Sequence, residues 1–202
     1  MPQFTVSSNM KTTFGVLGVV GSTRHGSYSA QALKIALEYA KKQGAEVQQI
    51  EAGLPLYEPN AQASEQVARA AEAVSWANAI ILASPDYHGS MSGVLKNFLD
   101  HFYEEFAGKL FGYIVASHEK GLTVMDQMRT AVRQCYGWSM PYGVSVNGPQ
   151  DFSGGDLTNP RISKRLEMMA RDLVVYGRLI NSQFVRDIGS ADQDTFAARY
   201  RP

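Results

Sequence analysis

Phe14-Gly15-Val16-Leu17-Gly18-Val19-Val20, running into Gly21-Ser22-Thr23-Arg24-His25-Gly26-Ser27-Tyr28-Ser29, is the stretch on which the fold turns. Its first seven residues are uncharged and mostly aliphatic, the pattern of a strand buried on both faces of a sheet. The next nine are mainly glycine, hydroxyl and basic residues. After them Ala30, Leu33, Leu37 and Ala40 make one face of a helix, with Lys34, Glu38, Lys41 and Lys42 opposite and Gly44 placed to end it. Apolar strand, glycine-bearing turn and amphipathic helix, in that order, form one unit of a parallel α/β sheet.

The same unit recurs down the chain. Apolar runs at residues 79–83 and 111–116 read as buried strands, 142–146 as a weaker one, and the more polar 46–50 as a strand at an edge. Helical spacing marks Val67, Ala71 and Val74, then Val94, Leu95, Phe98, Leu99 and Phe102. It marks residues 124–135 more weakly, and Ile162, Leu166, Met169, Leu173 and Tyr176 clearly. This alternation predicts right-handed crossovers and a parallel sheet with helices on both faces. The fold class is α/β, a flavodoxin-like doubly wound sheet of five parallel strands. The chain divides into a polar N-terminal extension over residues 1–13, a flavodoxin-like single domain over 14–182 and a polar tail over 183–202, suited to packing on a partner subunit.

Composition narrows the function classes. The 202 residues are 45% hydrophobic, and 19 Lys and Arg balance 19 Asp and Glu. That removes the basic excess demanded by nucleic acid or an anionic membrane. Residues 1–9 lack the basic and apolar regions of a secretory signal, and no apolar run is long enough for membrane insertion. The one cysteine, Cys135, permits no internal disulfide and suits a reducing, cytoplasmic setting. Its helical context marks it as a packing residue rather than a reactive thiol. His25, His88, His101 and His118 stand at no metal-ligand spacing, so no metal site is expected.

Ligands of open α/β sheets sit beyond the carboxyl ends of the strands, where strand order reverses. The loops after Val20, Ser84 and Ser117 therefore carry the chemistry. In the first, glycines and the hydroxyls of Ser22, Thr23, Ser27 and Ser29 precede a helix N-terminus, which favours an anion, and Arg24 can pair with it. The loop lacks the Walker lysine, because Ser27 follows Gly26, and Gly18 and Gly21 miss the dinucleotide spacing. It fits either a phosphate monoester or a plain capping loop with Ser27 or Ser29 as the cap. The second loop, Ser84-Pro85-Asp86-Tyr87-His88-Gly89-Ser90, runs on to Gly93-Val94-Leu95-Lys96-Asn97. It can present peptide N–H groups to a flat heterocycle beside Tyr87, or simply join strand to helix.

These two loops, with Leu54-Pro55-Leu56-Tyr57, resemble the NAD(P)H-dependent FMN reductase family, over roughly residues 14–180. The resemblance implies FMN as cofactor, NADPH or NADH as co-substrate and a small-molecule electron acceptor. It implies that Ser22, Arg24, Ser27 and Ser29 hold the FMN phosphate, with Tyr28 in the same loop. It implies that Pro85, Asp86, Tyr87, His88 and Gly89 border the isoalloxazine, with backbone N–H groups near N5 and O4. Family members commonly carry Glu and Asn in place of Asp86 and His88, and Asn in place of Ser29. The family's glycine-rich third turn is reduced here to Ser117-His118-Glu119-Lys120-Gly121, which still places Ser117 beside the ring, with His118 and Glu119 read as surface charges on a turn rather than as an acid/base pair.

The resemblance also implies a homodimer or homotetramer. The stripe Phe98, Phe102, Tyr103 and Phe106 suits either the core or such an interface. Trp76 and Trp138 read as packing residues. The expected reaction passes hydride from NAD(P)H to FMN and electrons on to free flavin, quinone or a similar acceptor, with no catalytic side chain required. Two other readings stand beside it: a flavodoxin-type electron carrier without its own substrate, and a flavin-free protein that retains the fold.

Overall fold

The computed structural model describes residues 13–200, so the expected N-terminal extension lies outside the described residues except for Thr13. Five elements carry the first half: β1 (Phe14–Val20), α1 (Tyr28–Lys42), β2 (Ala45–Glu51), α2 (Glu65–Trp76) and β3 (Ala79–Pro85). Then come α3 (Gly93–Asp100), β4 (Leu110–Ala116), α4 (Leu122–Gln134), β5 (Trp138–Ser139) and β6 (Val144–Val146). A single helical turn α5 (Gly148–Asp151) and a small hairpin, β7 (Phe152–Ser153) with β8 (Asp156–Leu157), precede the long α6 (Pro160–Gly189).

The sheet order is β2-β1-β3-β4, with β5 and β6 both parallel to β4. Strand order reverses between β1 and β3, the switch point of a doubly wound sheet. The fifth strand expected over 142–146 is shorter and comes in two pieces. Pro141 lies between them, and its missing N–H cannot continue the ladder. The polar strand β2 lies at the edge, as its composition requires.

Successive strand residues point to opposite faces, and each face carries its own core. Val16, Ile81 and Ile114 pack with Leu33, Leu37, Leu166 and Leu173 of α1 and α6. Leu17, Leu82 and Tyr113 pack with Val74, Leu95, Phe98, Met128 and Val132 of α2, α3 and α4. The buried face of α2 is Ala70, Ala73 and Val74, rotated from the expected Val67, Ala71 and Val74. Phe98, Phe102 and Phe106 are buried against one another and against Phe111, with ring centroids 4.9, 5.9 and 5.0 Å apart. The aromatic stripe is thus core, and only Tyr103 faces solvent. Trp138 and Tyr176, expected to pack, are exposed.

Residue 182, the expected end of the domain, falls inside α6. The helix continues to Gly189, and the chain then folds back on itself. Phe196 and Tyr200 pack on Phe184 at 6.1 and 5.7 Å, Phe196 reaches Tyr136 at 5.6 Å, and Ala197 is buried. The C-terminal segment therefore packs on its own chain through Phe196, Ala197 and Tyr200. No helix of the described residues is long and apolar enough to cross a membrane.

Candidate functional site

Three loops converge at the carboxyl ends of β1, β3 and β4 on one cleft of about 1050 Å³. Ser22, Arg24, Ser27, Tyr28, Ser29, Pro85, Asp86, Tyr87, Gly89 and Ser117 all line it. His88, expected beside them, does not. It occupies the first central position of a tight turn at φ 58, and its side chain goes to solvent.

The first loop performs the capping role, one of the two that its sequence left open. Ser27 caps α1, accepting from the Ala30 N–H at 3.3 Å, and its hydroxyl meets that of Ser29 at 3.2 Å. Ser22 accepts from the Arg24 N–H at 3.2 Å. All three hydroxyl residues are buried. Among the described residues, the N–H groups of Tyr28 and Ser29 in the first turn of α1 have no acceptor, and Arg24 makes no ion pair. Unmatched donors, a helix dipole and a guanidinium are groups that favour an anion.

The second loop is a hairpin. Tyr87 and Ser90 exchange N–H···O=C bonds of 3.0 and 3.1 Å, and His88 and Gly89 between them sit at φ 58 and 75. Two consecutive positive φ values are the signature of a type I′ turn, whose first position favours Asn and whose second favours Gly. Asp86 joins this hairpin to the third loop. One carboxylate oxygen accepts from the Gly89 N–H at 2.8 Å and the other from the Ser117 hydroxyl at 2.8 Å. The Ser117 oxygen accepts in turn from the Glu119 N–H at 3.1 Å. Of the N–H groups in residues 86–92, only that of His88 has no acceptor among the described residues. The loop thus uses internally most of the donors expected to face a ring.

Sequence reading missed several contributors. Gly148, Pro149 and Gly155 wall the cleft from a segment that reads as an ordinary loop. Asp151 organises that segment: its buried carboxylate accepts from the Asn147 N–H and from Asn159 Nδ2, each at 2.7 Å. The Tyr28 ring lies against Gly148, where a Cβ would stand 1.9 Å from a ring carbon, and stacks on Phe152 at 5.3 Å. Leu122 and Thr123 of α4 also line the cleft, and α4 has no side-chain cap. His118 and Glu119 are exposed on the turn, as expected.

Other expected features lie away from this cleft. The described residues contain no cluster of His, Cys, Asp or Glu fit for a metal ion. Cys135 is partly buried, its thiol pushed up mainly by that burial. Leu54 to Tyr57 is strapped to α3: Asn97 donates to the carbonyls of Leu54 and Pro55 and accepts from the Tyr57 N–H at 2.8 Å.

The chain is similar to several known proteins. It shares 37% identity over 95 residues with an NAD(P)H-dependent FMN reductase of Pseudomonas aeruginosa, covering 45% of this chain and 51% of that one. It shares 31% over 130 residues with an NADPH azoreductase of a Bacillus species, covering 61% and 73%. The match thus spans about half the length of the Pseudomonas relative. In structure it is similar to FerB, a flavoenzyme NAD(P)H:(acceptor) oxidoreductase of Paracoccus denitrificans, with a TM-score of 0.73 at 20% identity over 83% of this chain and 98% of that one. A flavodoxin of Streptococcus pneumoniae superposes with a TM-score of 0.58 at 14% identity, over 81% and 99%. The family model for NADPH-dependent FMN reductase matches residues 14–150, and the chain belongs to that family.

Proposed function

We propose that this protein is an FMN-dependent NAD(P)H oxidoreductase acting on a small-molecule electron acceptor. The observation that carries the reading is the pair of unmatched N–H groups at the start of α1, set among buried hydroxyls and Arg24 at one end of the three-loop cleft. That donor set fits one terminal phosphate.

In this reading Ser22, Arg24, Ser27, Tyr28 and Ser29 hold the phosphate. Pro85, Asp86, Tyr87, Gly89 and Ser117 shape the wall beside the isoalloxazine. When bound, FMN supplies the hydride and electron chemistry between nicotinamide and acceptor. The chain contributes position and electrostatics. The Asp86 carboxylate keeps two loops in register, and the α1 and α4 N-termini place positive dipole ends on the cleft. No side chain needs to act as a nucleophile or strong base.

FMN titration of the purified protein should give tighter binding than riboflavin, and NADPH or NADH should then be oxidised when an acceptor is added. Equal affinity for FMN and riboflavin would remove the phosphate assignment. A bound flavin that is not reduced by either nicotinamide would favour an electron carrier of the flavodoxin kind. Azo dyes head the acceptor screen, because relatives carry azoreductase names. The proposal extends to a cytoplasmic setting, supported by the single cysteine, and to a homodimer or homotetramer. Met168, Tyr176 and Leu179 expose apolar surface along α6, which favours assembly, and light scattering should give a mass well above 22.2 kDa.

A further inference from the structure

We infer that Gln127, on α4, is a positioning residue for the Tyr87–Ser90 hairpin and hence for the part of the cleft wall that Gly89 forms; the inference rests on the function proposed above. Its side chain grips three consecutive residues, Gly89 and Ser90 of the hairpin and Met91 just after it. Oε1 accepts from the Ser90 hydroxyl at 2.9 Å and from the Met91 N–H at 3.2 Å, and Nε2 donates to the Gly89 carbonyl at 3.4 Å. An amide is suited to this task, since one end accepts and the other donates.

The hairpin needs an outside anchor. Its turn holds a non-glycine residue, His88, at φ 58, a left-handed conformation that side-chain-bearing residues enter at some cost, histidine less than most. Asp86 secures the Gly89 N–H from within the loop, and Ser84 secures the Ser92 N–H at its base, 3.0 Å away. Between those points, Gln127 is the side chain from another element that the described structure brings to the loop by hydrogen bonds. It is exposed and lines the hollow between α3 and α4, which shares Thr123 with the main cleft. Its removal therefore leaves the cores untouched and frees the hairpin alone.

Gln127→Leu tests this beside Gln127→Glu, which retains the acceptor for Ser90 and Met91 and loses the donor to Gly89. In the FMN-free protein, amide exchange at Gly89, Ser90 and Met91 should speed up at least tenfold in Gln127→Leu and far less in Gln127→Glu. In the FMN-loaded protein, reduction by saturating NAD(P)H should slow about tenfold in Gln127→Leu, since displacements well under 1 Å suffice for that. The FMN dissociation constant should change less than threefold, because the phosphate loop is on β1. The flavin midpoint potential, read with a chemical reductant, should shift in Gln127→Leu and return towards wild type in Gln127→Glu. Wild-type exchange, rate and potential in Gln127→Leu would overturn the inference. So would a uniform loss of exchange protection and FMN binding in both variants, which marks a purely structural residue. A wild-type protein that binds FMN yet is not reduced by NAD(P)H would defeat the functional reading instead. Exchange and potential would then still decide the role of Gln127.

Discussion

Asp86 and Ser117 follow different strands, β3 and β4, and their contact should be measurable as a coupling. The Asp86 carboxylate accepts from the Gly89 N–H and from the Ser117 hydroxyl, both at 2.8 Å. Hydrogen bonds to a charged group contribute about 1.5–3 kcal/mol each, and the partial exposure of Asp86 puts these at or below the lower end. Asp86→Ala loses both and should cost about 2–3 kcal/mol, a fall in melting temperature of roughly 4–12 °C for a chain of this size. Asp86→Asn keeps one acceptor and should cost about half as much. Ser117→Ala removes one of the two bonds, so Asp86→Ala combined with Ser117→Ala should cost about 1 kcal/mol less than the sum of the single changes. Urea unfolding of the wild type, the two single variants and the double variant supplies the cycle. Costs that add to within about 0.3–0.5 kcal/mol would refute the contact, and with it the idea that Asp86 holds the second and third loops together.

Arg24→Ala should weaken FMN binding roughly tenfold without lowering the melting temperature of the FMN-free protein, since an exposed charge-assisted contact to phosphate is worth about 1.5 kcal/mol. An unchanged affinity in a fluorescence titration would place Arg24 in solvent. Tyr113 is buried, and its hydroxyl is pushed up to about 12 by that burial, against the opposing bond to Ser139. The neutral phenol is thus favoured in the folded state, so the stability it contributes is intact below pH 10 and is lost as the pH rises from 10 through 12. Tyr113→Phe should flatten that alkaline loss, as read by denaturant unfolding at stepped pH. Cys135, whose thiol is raised by burial, should react with a disulfide reagent at pH 8 much more slowly in the folded protein than in urea. Equal rates would show that the thiol is open.

The legible parts of the fold were those where one physical demand governs a whole segment. β1, β3 and β4 are buried on both faces and so read as unbroken apolar runs. α6 beyond residue 182 was not legible, because Gln183, Arg186 and Asp187 lie on its solvent face and look like tail. The aromatic stripe around Phe102 could belong to core or interface, and only the packing on Phe111 decides it. In the site, glycine, serine and proline punctuation marked loops that line one cleft. Gln127 carries no such mark. A glutamine on a polar helix face resembles any solvated residue until a loop from another strand is laid against it. His88 shows the opposite failure: its place in the motif suggested a wall residue, whereas the backbone turn sends it outward.

The contact between Tyr28 and Gly148 bears on how this sequence can change over time. A methyl group at residue 148 would collide with the ring of residue 28, whereas a smaller residue at 28 would leave that methyl room. The two positions are 120 residues apart in the chain, yet the order of substitution matters. Loss of the ring first opens residue 148 to side chains, and the reverse order passes through a misfitted intermediate. A relative with a side chain at the position of Gly148 should therefore lack an aromatic at the position of Tyr28. The segment pinned by Asp151 would inherit its allowed variation from a residue at the far end of the domain.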